Sequence, residues 1–124
     1  MCFIPIICAP VNSLLKCFTL YIHSTSGVGT FIVEFATISR LTGDMRFERA
    51  ARRAIESLFK FRSEIGLLGN HIDTQTGRWT ATDSGIGAGV DSFFEYLVKG
   101  YVLLNEPELL EMWRVLGQLK IVNV

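Results

Sequence analysis

The stretch that decides the fold runs Asp83-Ser-Gly-Ile-Gly-Ala-Gly-Val-Asp-Ser-Phe-Phe-Glu-Tyr-Leu-Val-Lys99, DSGIGAGVDSFFEYLVK. Gly85, Gly87 and Gly89 form a loop that ends where a helical period begins. From about Val90 to Leu104, Phe94, Leu97, Tyr101 and Leu104 recur on one side of a helix. Glycine tolerates positive φ and leaves open space beside the backbone. The loop therefore reads either as a surface that lies against a ligand or as a tight strand-to-helix crossover. It does not read as a phosphate cradle. The G-x-G-x-x-G pattern would need glycine where Val90 stands, and no parallel-strand unit precedes it.

Two carboxylates follow the loop. Asp91 opens the helix, where the macrodipole favours an anion, and Glu95 lies one turn later on the same face. Like charges at this spacing repel mildly, although Lys99, a further turn on, offers Glu95 a partner. Asp91 has two readings, a catalytic or binding carboxylate and a helix cap. A third carboxylate, Glu34, sits in the apolar run FIVEFA. A charge there needs a partner or a wet cavity, so Glu34 either pairs with an arginine of the next helix or lines a polar cavity.

Working outward, a helix is expected from about Val28 to Thr42, with Val28, Ile32, Phe35 and Ile38 as its apolar side. Gly43 stops it, and Asp44 caps a second helix from about Met45 to Arg62, whose stripe is Phe47, Ala51, Ala54, Leu58 and Phe61. The short LTGD joint makes these two an antiparallel pair. Between residues 66 and 82 the period changes to short β-type stretches on either side of Asp73-Thr-Gln-Thr-Gly77, a β-hairpin. A last helix follows Leu104, with Asn105 as its cap, Pro107 in its first turn and Glu108 completing a capping box.

The 124 residues suffice for one domain with a modest core, and 49% are hydrophobic. Formal net charge is zero, and no basic groove for nucleic acid is written in the chain. His23 and His71 are isolated, without the spacing of a zinc site. Cys2, Cys8 and Cys17 make neither a disulfide framework nor a C-x-x-C pair. The first 22 residues are strongly apolar. No basic residue precedes Lys16, and Pro5, Pro10 and Asn12 interrupt the run, so it matches neither a signal peptide nor a membrane span cleanly and leaves membrane association open.

Three stretches, TSGVGTFIVEFATISRLTGD, IGLLGNHIDTQTGRW and DSGIGAGVDSFFEYLVKGYVLL, together resemble glycoside hydrolase family 47, the class I α-1,2-mannosidases. Within it they are most similar to the branch of ER degradation-enhancing α-mannosidase-like proteins. The resemblance implies an all-α fold, part of an (α/α)7 barrel made of two helix pairs, with the β-hairpin as a small insertion. It implies inverting hydrolysis of terminal α-1,2-linked mannose on the high-mannose N-glycans of misfolded glycoproteins in the endoplasmic reticulum, with calcium as the cofactor of the complete domain.

On this likeness Asp91 matches the aspartate of an Asp-Ser-aromatic-aromatic-Glu-Tyr-Leu motif, one of the acids placed around the scissile bond. Glu95 matches the glutamate of that motif and Glu34 the glutamate of a Glu-Phe helix, both on the pocket side as substrate-binding residues. Gly89 and Gly27 stand where related processing enzymes carry arginine and glutamate, as in the degradation-enhancing branch. The likeness also implies a general acid in a Phe-Glu-Thr-x-Ile-Arg motif, a third carboxylate and a calcium-ligating threonine. None has a counterpart in the chain, so no metal ligand is assigned. Residues 27–113 are expected to be the interior of such a domain, with an apolar segment 1–26 and a tail 114–124 that lack the likeness, so that the chain reads as a fragment inactive by itself. The alternative is a non-catalytic glycan-binding or interaction protein built on the same helices.

Overall fold

The computed structural model describes residues 21–118, so the apolar run 1–20, with all three cysteines, and the last residues of the tail lie outside the described part. Its elements in chain order are β1 (Ile22–Ser24), α1 (Thr25–Gly29), α2 (Ile32–Thr42), α3 (Arg46–Lys60), β2 (His71–Asp73), β3 (Arg78–Ala81), α4 (Asp91–Leu104) and α5 (Pro107–Gln118). Helices predominate. The hairpin β2–β3 forms where expected, and its turn is closed by the Gly77 N–H donating to Asp73 O at 2.8 Å and by Asp73 Oδ1 accepting from Gln75 N. It is not a lone hairpin. Ile22–Ser24 pairs antiparallel with β2, giving a three-stranded sheet in the order β1-β2-β3. The β1 stretch has too few residues to show an alternation, and its strand character comes from its partner.

The first expected helix is two. Ser24 Oγ caps the short α1 by accepting from Gly27 N. Thr25 fastens α1 to the hairpin entry, its N–H donating to Asn70 O at 2.9 Å and its buried hydroxyl to Gly69 O at 2.7 Å. The chain leaves helical geometry at Thr30 (φ −110°, ψ 43°) before α2 starts. Gly27 and Gly29 weaken the helix, by roughly 1 kcal/mol each against alanine. Gly29 is nevertheless required there, because a Cβ would stand 2.1 Å from Cδ2 of Phe93.

The core forms where α1, α2, α3 and α4 meet, around Ile32, Ile55, Leu58, Phe93 and Leu97. It is rotated from the expected stripes. Ile32, Ala36 and Ser39 face inward on α2, whereas Ile38 is 41% exposed; Ile55 joins Ala51, Ala54 and Leu58 on α3, whereas Phe47 is at the surface. On α4 the buried residues are Phe93, Leu97, Gly100 and Leu104 rather than a stripe through Phe94. Gly100 admits the Leu109 side chain of α5, whose Cδ1 lies 2.7 Å from where a Cβ would be. Asp44 does not occupy the cap of α3: that position is Met45, which makes no side-chain cap hydrogen bond, while the Asp44 carboxylate accepts from Arg46 N at 3.0 Å and pairs with the Arg46 guanidinium. Asn105 does not start α5. It takes the left-handed conformation (φ 57°, ψ 47°) and ends α4 by donating to Tyr101 O.

Candidate functional site

The glycine loop is a strand-to-helix crossover pinned at several points. Ser84 Oγ donates to Leu68 O at 2.5 Å. Asn70 Nδ2 donates to Asp83 Oδ2 at 3.0 Å and to Ala88 O at 3.1 Å. Ser26 N–H donates to Gly89 O at 2.8 Å, and the N–H groups of Val90 and Asp91 both donate to Gly87 O. Of the loop's glycines, Gly89 alone holds a positive φ, +94°. Gly85 and Gly87 instead leave space. A Cβ on Gly87 would meet nothing within 4 Å, and one on Gly85 only the backbone N of Gly87. The loop thus presents an open, exposed backbone beside the start of α4.

Asp91 is the first residue of α4 and exposed. The cap position belongs to Val90, which makes no side-chain cap hydrogen bond, and Asp91 Oδ1 accepts only from the adjoining Ser92 N–H at 2.8 Å. Capping therefore does not account for this carboxylate. Glu95, a turn later, is exposed and ion-paired with Lys99 at 2.7 Å, as its spacing suggested.

Glu34 does not pair with an arginine of the next helix. It is exposed on α2, and its Oε1 accepts a 2.6 Å hydrogen bond from the Tyr96 hydroxyl of α4. That bond, with burial and the charge of Glu95 adding, pushes the Tyr96 phenol above the ordinary tyrosine range. The Lys99 ammonium also lies 5.5 Å from the centre of the Tyr96 ring. Glu34, Tyr96, Glu95 and Lys99 thus form one polar cluster, beside a shallow apolar groove walled by Val33, Val98, Val102 and Leu103. Tyr96 is the member that sequence reasoning missed. Its place after Glu95 carries no periodic signal, and its role depends on α2 packing across α4.

Arg52 of the second helix pairs with Glu48 rather than with Glu34, and Arg40 of α2 joins it. Glu48 is 3% exposed and accepts from Arg52 Nη2 at 3.0 Å and from Arg40 Nη2 at 3.4 Å, while Glu106 receives Arg52 at 2.5 Å. Burial pushes the Glu48 carboxyl up, but its two guanidinium partners prevail and hold it below the usual glutamate range. This network ties α2 and α3 to the α4–α5 joint, away from the loop.

Calcium takes 6–8 oxygen ligands. Among the described residues no group of three or more His, Cys, Asp or Glu side chains gathers that could hold a metal ion. Nor is any helix among them long and apolar enough to cross a membrane.

Comparison with known proteins gives a family match. The model of Glycosyl hydrolase family 47 matches residues 16–119. The chain is 63% identical over 89 residues to ER degradation-enhancing alpha-mannosidase-like protein 2 of Mus musculus, and equally to that of Homo sapiens, covering 72% of this chain and 15% of the relative. It is 50% identical over 92 residues to Alpha-mannosidase I MNS5 of Arabidopsis thaliana, covering 74% of this chain and 16% of the relative. Among solved structures it superposes on an alpha-1,2-mannosidase from Trichoderma reesei with a TM-score of 0.69 at 24% identity, over 81% of this chain and 22% of that one, a likeness of fold. The chain thus spans about a sixth of the length of the curated relatives it matches.

Proposed function

We propose a function for this chain on one premise: it belongs to glycosyl hydrolase family 47. It supplies part of the pocket of an α-1,2-mannosidase that removes terminal mannose from high-mannose N-glycans of misfolded glycoproteins in the endoplasmic reticulum. The observation that carries this reading is the uncapped, exposed Asp91 at the head of α4, beside an open glycine loop. The 63% identity to degradation-enhancing relatives supports it. The pairs α2/α3 and α4/α5 are then two units of an (α/α)7 barrel, and residues 27–113 lie within its catalytic domain.

In this reading Asp91 is a catalytic carboxylate. Inversion uses two carboxyl groups about 6.5–9.5 Å apart, one donating a proton to the leaving oxygen and the other activating water or bearing on the developing positive charge. Asp91, at a helix N-terminus with one backbone donor, is suited to act as an anion. Glu34, oriented by Tyr96, and Glu95, held by Lys99, present acceptors for sugar hydroxyls. The proton donor is a second acid, and the Phe-Glu-Thr-x-Ile-Arg motif expected to carry it is not among these 124 residues. Calcium belongs to the complete domain, and no step here runs through it.

The exposed cluster of Glu34, Tyr96, Glu95 and Lys99 beside an apolar groove also suits a second reading, in which the helices bind glycan without cleaving it. Incubating the complete protein that carries this segment with a high-mannose glycan separates the two. Release of free mannose, abolished by Asp91→Asn, is the expected result. Saturable glycan binding without release would replace the first reading by the second.

A further inference from the structure

We infer that Asn70 is a positioning residue, whose side-chain amide clamps the glycine loop and so sets where α4, and Asp91 at its head, begins. The inference rests on the mannosidase reading for its effect on rate, and on geometry alone for the clamp.

Asn70 lies immediately before β2, and its backbone is held on both sides. Its N–H donates to Ala81 O and its carbonyl accepts from Thr25 N–H, each at 2.9 Å. The side chain is therefore fixed to the sheet and to α1. From there the two N–H bonds of Nδ2 reach the first residue of the loop and a residue near its end, Asp83 Oδ2 and Ala88 O. Both partners are acceptors only, which decides the orientation of the amide. Its oxygen lies against Gly89, buried and without a hydrogen-bond partner. An unpaired buried oxygen opposes folding, so the arrangement is kept at a cost in order to place both donors on the loop. Gly89 completes the fit. A Cβ there would stand 1.9 Å from Asn70 Oδ1, and φ is +94°. Only Val90 separates Gly89 from Asp91, and the Val90 and Asp91 N–H groups hang on Gly87 O. A shift of the clamp therefore moves the first turn of α4.

No other small side chain meets this demand. Aspartate has nearly the same shape but presents only oxygens when ionised, against the Asp83 carboxylate and the Ala88 carbonyl. Alanine removes both donors and the buried oxygen together.

The test compares Asn70→Asp, Asn70→Ala and Asp83→Ala in the complete protein. Hydrogen exchange of the segment 84–93 reads the clamp whether or not the protein is an enzyme. Faster exchange there by roughly tenfold or more, with α3 unchanged, is expected for the Asn70 variants, and a smaller rise for Asp83→Ala. Unchanged exchange, or an equal rise throughout the protein, overturns the clamp. Should the Asn70 variants fail to fold, Asp83→Ala decides by the same criterion. On high-mannose glycan, kcat is expected to fall by up to about 10²-fold, with KM within about threefold, the pattern of a lost alignment rather than lost binding. Faster local exchange with kcat intact overturns the positioning role. If the unaltered protein releases no mannose while the exchange result holds, the mannosidase reading fails and the clamp stands.

Discussion

The Tyr96 hydroxyl donates a 2.6 Å hydrogen bond to Glu34 Oε1 across the packed helices α4 and α2, joining residues 62 positions apart. The bond orients a carboxylate that would otherwise swing freely in solvent. Tyr96→Phe removes it and leaves the ring packed. Because Glu34 is exposed, the expected loss of stability by denaturant titration is below about 1 kcal/mol. In the complete enzyme the expected kinetic effect is a rise in KM for glycan.

The same pair predicts a pH dependence. The Tyr96 pKa is raised above its ordinary 10.0, foremost by the bond to Glu34, so the folded state favours the neutral phenol. Its contribution to stability is complete below pH 10.0 and is lost as pH rises through the raised value. Tyrosinate absorbance should show one late-titrating phenol, which moves back toward 10.0 in Glu34→Gln. A titration that this substitution leaves unchanged would mean that the two groups do not couple.

Asp91→Asn in the complete protein should leave the melting temperature nearly unchanged, since Asp91 caps nothing and asparagine keeps the acceptor for Ser92 N–H. Mannose release should fall by about 10²–10⁴-fold, the usual worth of a group acting in acid–base catalysis. Glycan-trimming rates measured beside a thermal melt check both halves.

Glu48→Gln should destabilise the protein by ~2 kcal/mol at neutral pH, under the roughly 3–5 kcal/mol of a broken, fully buried pair, because Arg40 and Arg52 can turn toward water. The sign of its pH dependence follows from the lowered pKa. The stabilisation is present above the ordinary glutamate value of 4.5 and lost as pH falls through the lower folded value. The stability curves of wild type and variant should therefore converge in acid, which unfolding at a series of pH values would reveal.

Gly29→Ala should be among the most damaging single-methyl additions. The new Cβ would lie 2.1 Å and 2.6 Å from ring carbons of Phe93, which is itself fully buried. Overpacking of this kind costs about 1–3 kcal/mol. Gly87→Ala, where a Cβ meets nothing within 4 Å, is the contrasting control in a thermal melt.

The helices α3 and α4, the hairpin turn at Asp73–Gly77, the Glu95–Lys99 pair and the place of Asp91 at a helix start were all legible in the amino-acid order. Each depends on residues within a few positions of one another, and local spacing and turn chemistry suffice to specify it. Tertiary structure alone decided the rest. It split the first helix at Thr30, because Thr25 is drawn to the hairpin entry and Gly29 is pressed onto Phe93. It turned Phe93 rather than Phe94 into the core, and made a strand of Ile22–Ser24 by giving it β2 as a neighbour. It also paired Glu34 with Tyr96, and set Asn70 against Asp83, Ala88 and Gly89. These contacts join residues far apart in the chain, and a periodic pattern shows which face of an element is apolar but not which distant side chain will meet it.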